Sequence, residues 1–323
     1  MRRVVCSAYG PPSSLVVVDE PDPVAGPGEV VVAVEAAGVN FVDALFVQGT
    51  YQIKIPTPFT PGGEIAGRVI ALGDGVTERA IGDRVMATSM SGGYASHLVA
   101  PARSLMAVPD TLDLDRAATF NQSYSTCWYA LTRRTQITAQ DTVLVLGAGG
   151  GIGLAAVELA RHLGATVIAA ASSEAKLAAA RAQGAHHTID YATEDLKARA
   201  RELSGGGVTV VVDPVGGPHA ENALRSLGWG GRYLVIGFAA GSIPRFPLNH
   251  VLLSSRTIIG VDWGAWAARD RDAQGPLLRE LLDLAARGAI RPTAPHHRAL
   301  NDAPQVLDDA INGRLVGKTV LVP

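Results

Sequence analysis

Cysteine is scarce in this chain: Cys6 and Cys127 are the only two among 323 residues. So distant a pair builds neither a disulfide framework nor a Cys-x-x-Cys metal knuckle, and both read as small buried hydrophobes. A surplus of either charge is also missing, since 28 Lys and Arg face 30 Asp and Glu. Aromatics make up only 5% of the residues, and no dense Lys/Arg cluster interleaves with them, so nucleic acid is a poor candidate for the main partner. Long apolar runs are absent too. The most apolar uncharged stretch, 142–157, is rich in glycine and shorter than the ~20 residues of a spanning helix. Residues 4–8, behind Met1, Arg2 and Arg3, fall far short of a signal core and meet Pro11 and Pro12 at once. These absences set the expectation of a soluble, cytoplasmic protein with no membrane partner.

What is present is ample material for buried cores, with 47% apolar residues in a length that favours about two domains. Up to about Arg116 the pattern is one of short Val-rich runs, such as "GEVVVAVEAAGV" and "GEIAGRVIALG", punctuated by Gly, Pro and Asp. From Ser123 onward, apolar strands of five or six residues alternate with Ala- and Leu-rich helical stretches, the pattern of a doubly wound parallel sheet. Six strands are predicted, at 142–146, 166–170, 187–189, 208–213, 232–236 and 257–261. Helices are expected over 152–162, 174–183 and 196–204, then 277–287 and 303–311, with a last strand in "KTVLV".

The stretch "LGAGGGIGLAA", 146–156, falls at the turn from the first of these strands into its helix. Glycine there permits a tight turn and lets bare N–H groups approach phosphate oxygens, to which the helix N-terminus adds about half a positive charge. Gly150 and Gly153 match the second and third glycines of G-x-G-x-x-G, while Ala148 stands at the first; Gly147, Gly151 and Ile152 complete the expected pyrophosphate turn. An acidic residue for a ribose 2′-hydroxyl is due at the end of the second strand. Ala170 and Ala171 stand there instead, followed by Ser172, Ser173 and Lys176. A carboxylate would repel a 2′-phosphate, whereas hydroxyls and an ammonium donate to it, so NADPH fits better than NADH. The competing reading makes Ser172 or Ser173 a cap for the helix from Glu174 and Lys176 a solvated charge.

In order along the chain stand "GVNFVDALFVQGTYQ", "PGGEIAGRV", "GDRVMA", "LGAGGGIGLAA", "IDY", "DPVGG" and "GRYLVIGFAAG". With these motifs the chain resembles, over essentially its whole length, the zinc-independent NADPH:quinone oxidoreductase branch of the medium-chain dehydrogenase/reductase superfamily. The resemblance implies a mainly β GroES-like catalytic domain (1–122), a Rossmann domain (123–262), a C-terminal segment (263–323) returning to the first domain, and an active site in the cleft. It places Ser172, Lys176 and Tyr191 around the 2′-phosphate, and Asn40, Thr126, Phe238 and the backbone near Gly237 around the nicotinamide. Zinc-dependent relatives carry a Cys where this chain has Asn40 and a His where it has Gly63, so no metal is expected. The adjacent pairs His186-His187 and His296-His297 read as surface or loop residues, because neighbouring side chains point in different directions.

Without a metal Lewis acid, ordinary alcohols are disfavoured as substrates, and a quinone or other small planar conjugated carbonyl, which spreads the incoming charge itself, is favoured. Tyr51 and Asn40 are the candidate donors to its oxygen. Asp43 reads as a structural acceptor, and Leu45 stands where some relatives have a second tyrosine. Trp263 and Trp266 could wall the cleft or serve as core or subunit contacts. An exposed edge at 257–261 leads to the expectation of a homodimer. Two other functions stay open. One is a C=C reductase of enoyl thioesters or acrylates; a thioester's long carrier would need a basic groove, for which Arg133 and Arg134 are the only obvious adjacent pair, and a solvated helix face explains them more simply. The other is an NADPH-binding structural or regulatory protein without turnover.

Overall fold

The computed structural model describes residues 1–323, the side chain of Arg271 excepted. The chain divides into two compact units, Met1–Gln122 with Ala294–Pro323, and Ser123–Thr293.

In the second unit six parallel strands stand in the order His187–Asp190, Thr166–Ala171, Thr142–Leu146, Val208–Asp213, Leu227–Val235, Thr257–Gly260. Counted along the chain, the order is 3-2-1-4-5-6, which reverses direction beside the first strand. The Val-, Leu- and Ile-rich strands are continuous apolar runs because the sheet is buried, and Leu144, Leu146, Ile168, Ile189, Val211 and Tyr233 fill one of its cores. All six expected strands form. The fifth begins five residues before the predicted 232, because the glycines of "LGWGG" read as a break and are instead taken into the strand.

Two expectations near the C-terminus need correction. The helix predicted from 277 runs over Arg271–Ala286 and accommodates Pro276, with the Asp270 carboxylate accepting from the Ala273 N–H at 3.0 Å at its start. The return to the first unit begins at Ala294 rather than at 263. Residues 263–293 stay with the second unit because their side chains are tied there: Trp266 stacks on Tyr129 at 4.6 Å, and Glu280 accepts from Trp128 Nε1 and pairs with Arg133 at 2.8 Å. Trp266 is therefore a packing residue, and Trp263 Nε1 donates to Gln274 at 2.9 Å.

The first unit is built on the ten-residue strand Glu29–Gly38, which pairs antiparallel with Glu64–Leu72, His97–Pro101 and the last strand, Thr319–Val322. Val30, Val32, Phe46, Ile65, Val69, Tyr94 and Leu321 belong to its core. The pairing Val320 with Gly38 brings the chain's end alongside the turn at Asn40, from which the helix Phe41–Gln48 departs. Both His pairs are exposed at the surface, as expected: His186 lies in the bend before His187–Asp190, which His187 opens, and His296 opens a strand parallel to Thr319–Val322. No helix among the described residues is long and apolar enough to cross a membrane.

Candidate functional site

The glycines of the first crossover turn serve different ends. Gly147 adopts a left-handed φ of +57°, and a Cβ there would lie 2.6 Å from Val215 Cγ2. A Cβ on Gly153 would sit 2.2 Å from the Gly147 carbonyl oxygen, and one on Gly149 would overlap the stem of Lys176. These three are demanded by the fold. Gly150 is not, since a Cβ there meets only the Gly147 oxygen at 3.5 Å, an ordinary contact. Its missing side chain leaves open backbone just ahead of the helix Gly151–His162, whose first intrahelical bond is Leu154 N–H to Gly150 O. The N–H groups of Gly151, Ile152 and Gly153 precede that bond, as an anion-binding helix N-terminus requires. Ala148, fully buried, donates its N–H to Ala170 O at 3.0 Å, which ties the turn to the second strand.

That strand ends at Ala171, and beyond it Ser172, Lys176 and Tyr191 come together. Lys176 Nζ donates to Ser172 Oγ at 3.3 Å, and the Tyr191 side chain shares a hydrogen bond with Ser172. Partial burial lowers the Lys176 ammonium and raises the Tyr191 phenol from their ordinary values. Tyr191 also packs its ring on His219 at 4.3 Å. Ser173 takes the N-cap position of Glu174–Ala182 with no side-chain cap bond. The cluster presents hydroxyls and an ammonium with no carboxylate at Ala170 or Ala171.

Sequence reasoning missed what holds the far side of the turn. Asp213 accepts from the N–H groups of Val215 (2.7 Å) and Gly216 (2.8 Å) and from the Tyr233 hydroxyl; burial raises its carboxyl and these bonds oppose the rise. Gly237 donates to Asp213 O at 3.3 Å, and Ala239 and Ala240 donate to Pro214 O and Val215 O. Phe238, partly exposed, lies where a Cβ on Gly216 would come within 2.9 Å of its ring. Val215 reaches Gly147 in turn, so residues 147, 213–217 and 237–240 form one assembly at the C-terminal ends of the strands, where open α/β sheets bind ligands. Thr126, buried, sits next to Cys127, whose Sγ donates to Ile152 O at 3.3 Å; burial pushes this thiol up.

In the first unit, Asn40 starts the helix Phe41–Gln48 and its N–H donates to Asp43 Oδ2 at 2.8 Å. Its Nδ2 donates to Glu64 Oε2 at 2.8 Å, and Lys318 Nζ donates to its Oδ1 at 2.6 Å. Glu64 also accepts from the Gln122 N–H at 2.6 Å, and Tyr94 donates its hydroxyl to Asp43 at 2.9 Å. Burial raises Asp43 to about 6, raises Glu64 and lowers Lys318, with the mutual attraction of Lys318 and the carboxylates opposing each shift. Neither Lys318 nor Tyr94 was expected here; a lone Lys before an apolar strand was the only signal for the first. Tyr51 packs edge-on against Phe46, centroids 4.9 Å apart.

The donor set does not fit zinc. Asn40 has its amide committed to Glu64 and Lys318, Gly63 offers no side chain, and among the described residues no group of three His, Cys, Asp or Glu could hold a metal. Asp43 Oδ1 is buried without a partner and faces the empty Cβ position of Gly63 at 3.5 Å.

Two outcomes follow from this geometry. Gly150→Ala should leave the chemical-denaturation midpoint unchanged yet weaken dinucleotide binding in a fluorescence titration, whereas Gly153→Ala should destabilise the second unit by about 1–3 kcal/mol. For Asp43 the raised value means that the native state holds its proton more tightly than the unfolded chain, whose carboxyl titrates near 3.8. Its stabilising contribution is complete below that value and disappears as pH rises through about 6. Urea titrations of wild type and Asp43→Asn should therefore diverge between these pH values, the wild type losing on the order of 3 kcal/mol relative to the variant. Parallel pH profiles would contradict the burial account.

Comparison with known proteins agrees with this architecture. Residues 26–110 match the alcohol dehydrogenase GroES-like domain family, and residues 151–282 match the family described as zinc-binding dehydrogenase. The chain is 34% identical over 330 residues to a quinone oxidoreductase of Pseudomonas aeruginosa, covering 100% of this chain and 99% of the relative. It is 36% identical over 293 residues to mouse quinone oxidoreductase-like protein 2, covering 90% of this chain and 83% of the relative. The crystal structure of Escherichia coli quinone oxidoreductase, complexed with NADPH, superposes with a TM-score of 0.90 at 28% identity and full coverage of both chains. With a parallel nucleotide-binding sheet, a GroES-like unit and these relatives, this oxidoreductase, which uses a nicotinamide cofactor, belongs to the quinone oxidoreductase branch of the medium-chain dehydrogenase/reductase superfamily.

Proposed function

We propose that the chain is an NADPH-dependent reductase that passes hydride to quinones or related conjugated carbonyls without a metal. The observation that carries the cofactor choice is the junction of Ser172, Lys176 and Tyr191, three donors at the place where an NADH-preferring site would carry a carboxylate. In this reading the N–H groups of Gly151, Ile152 and Gly153 hold the pyrophosphate over open Gly150, and Ser173 lies at the edge of the 2′-phosphate site. Thr126, Gly237 and Phe238 line the nicotinamide end. NADPH, when bound, supplies the hydride. Asn40 and Tyr51 serve the acceptor, the first as a fixed amide donor and the second as a phenol whose ring is steadied by Phe46.

A metal-free reaction is supported by the two positions that would carry ligands, since Asn40 is already bonded on both amide atoms and Gly63 has no side chain. The acceptor must then delocalise charge itself, as a quinone does. Against the thioester alternative stands the pairing of Arg133, one of its two candidate basic residues, with Glu280 at 2.8 Å.

A second copy of the chain is the proposed macromolecular partner. The edge strand Thr257–Gly260 leaves one side unpaired in its sheet, and Ile258, Leu252 and Leu253 are exposed near it. Light scattering should give a dimer mass, and Ile258→Lys should shift it toward monomer; a wild-type monomer at micromolar concentration would contradict the pairing. For the cofactor, Lys176→Ala should raise KM for NADPH roughly tenfold or more while leaving KM for NADH nearly unchanged, as expected from losing one charge-assisted hydrogen bond. Equal effects on both cofactors would remove the phosphate reading.

A further inference from the structure

The carboxamide of Asn40 is pinned from both ends, by Lys318 Nζ on Oδ1 at 2.6 Å and by Glu64 Oε2 on Nδ2 at 2.8 Å. An ammonium has no acceptor and an ionised carboxylate has no donor, so these partners admit a single orientation of the amide. A flip would set the NH₂ group against the ammonium and the oxygen against the carboxylate, unmaking two charge-assisted bonds among buried groups. Lys318 also donates to Val39 O at 3.2 Å, and Asp43 accepts the Asn40 N–H, so the backbone on each side is held as well. Glu64 is steadied in turn by the Gln122 N–H and lies 4.0 Å from Lys318.

An amide nitrogen carries two hydrogens and Glu64 takes one. What the pinned side chain offers a ligand is the other N–H, and an ammonium on the carbonyl oxygen draws density from the amide and strengthens that donor. Lys318 arrives here from the far end of the chain, because the last strand pairs antiparallel with Glu29–Gly38 and sets residue 318 next to residues 39 and 40.

We propose that Lys318 is a positioning residue of the reaction: acting through Asn40, with Glu64 as counter-charge, it holds the free amide N–H toward the acceptor oxygen on which charge develops as hydride arrives. This rests on the reading that Asn40 serves the acceptor. A preorganised donor aimed at developing charge acts on the transition state more than on binding, so its loss falls on kcat. Lys318→Met alone leaves Glu64 uncompensated and endangers folding, so the informative variant is the pair Glu64→Gln with Lys318→Met, which removes both charges at nearly constant volume.

The experiment follows NADPH oxidation by phenanthrenequinone in wild type, the pair variant, Lys318→Arg, Asn40→Ala and the triple variant, with NADPH affinity measured by fluorescence titration and folding by thermal melts. The pair variant is expected to bind NADPH within about twofold of wild type and to lose about tenfold or more in kcat. Lys318→Arg should recover most of the rate, since a guanidinium also only donates. In the Asn40→Ala background the pair should lower kcat no further. A pair variant that turns over at the wild-type rate, or an Asn40→Ala loss that multiplies with that of the pair, overturns the proposal while leaving the proposed function intact. A wild type that binds NADPH but never oxidises it overturns both.

Discussion

Everything in the second unit depends on how closely its first helix packs against its first strand. The Gly147 carbonyl and Gly153 approach so nearly that a single methyl group would not fit between them. That contact fixes the helix axis and so points the N–H groups of Gly151, Ile152 and Gly153 along the C-terminal edge of the sheet, over the open backbone of Gly150. The same turn is braced on one side by Lys176, whose stem covers Gly149, and on the other by Val215, which Asp213 holds through two backbone N–H groups. The side chain proposed to read the 2′-phosphate is thus also part of the wall of the turn proposed to hold the pyrophosphate, so the two proposed contacts share one support.

The first unit solves a different problem. It buries two carboxylates, Asp43 and Glu64, with one ammonium, Lys318, and a phenol, Tyr94. Burial of this kind is electrostatically expensive and seldom stabilises a fold by itself. Its use is geometric: each carboxylate accepts from fixed neighbours, the ammonium donates to fixed neighbours, and the result is an amide at Asn40 with one orientation. Asp43 Oδ1 is left without a partner inside this cluster, 3.5 Å from where a Cβ on Gly63 would lie.

Much of the fold was legible because a buried parallel sheet writes itself as uninterrupted Val and Ile runs, and because Gly turns mark the crossovers. The candidate cofactor residues Ser172 and Lys176 were legible from the absence of an acid at Ala170 and Ala171, Tyr191 only from the family resemblance, and the three do meet in space. What could not be read were contacts whose partners are far apart in sequence. Nothing local ties Lys318 to Asn40, or Glu280 to Trp128 and Arg133, and the second of these is why residues 263–293 stay with the second unit. Nor does composition separate a glycine that the packing requires, such as Gly153, from one that it does not, such as Gly150; the difference lies in where a Cβ would point.

The central claim is that a phosphorylated nicotinamide dinucleotide and an acceptor able to delocalise charge suffice, with no metal between them. The most direct measurement is the consumption of NADPH by protein stripped with EDTA and assayed for bound metal, with phenanthrenequinone, benzoquinone, an enone and a primary alcohol paired with oxidised cofactor. The account predicts full quinone turnover by metal-free protein, with NADPH preferred to NADH and no alcohol oxidation. Activity that disappears when stoichiometric zinc is removed and returns when zinc is added back, or brisk oxidation of simple alcohols with NAD, would contradict it.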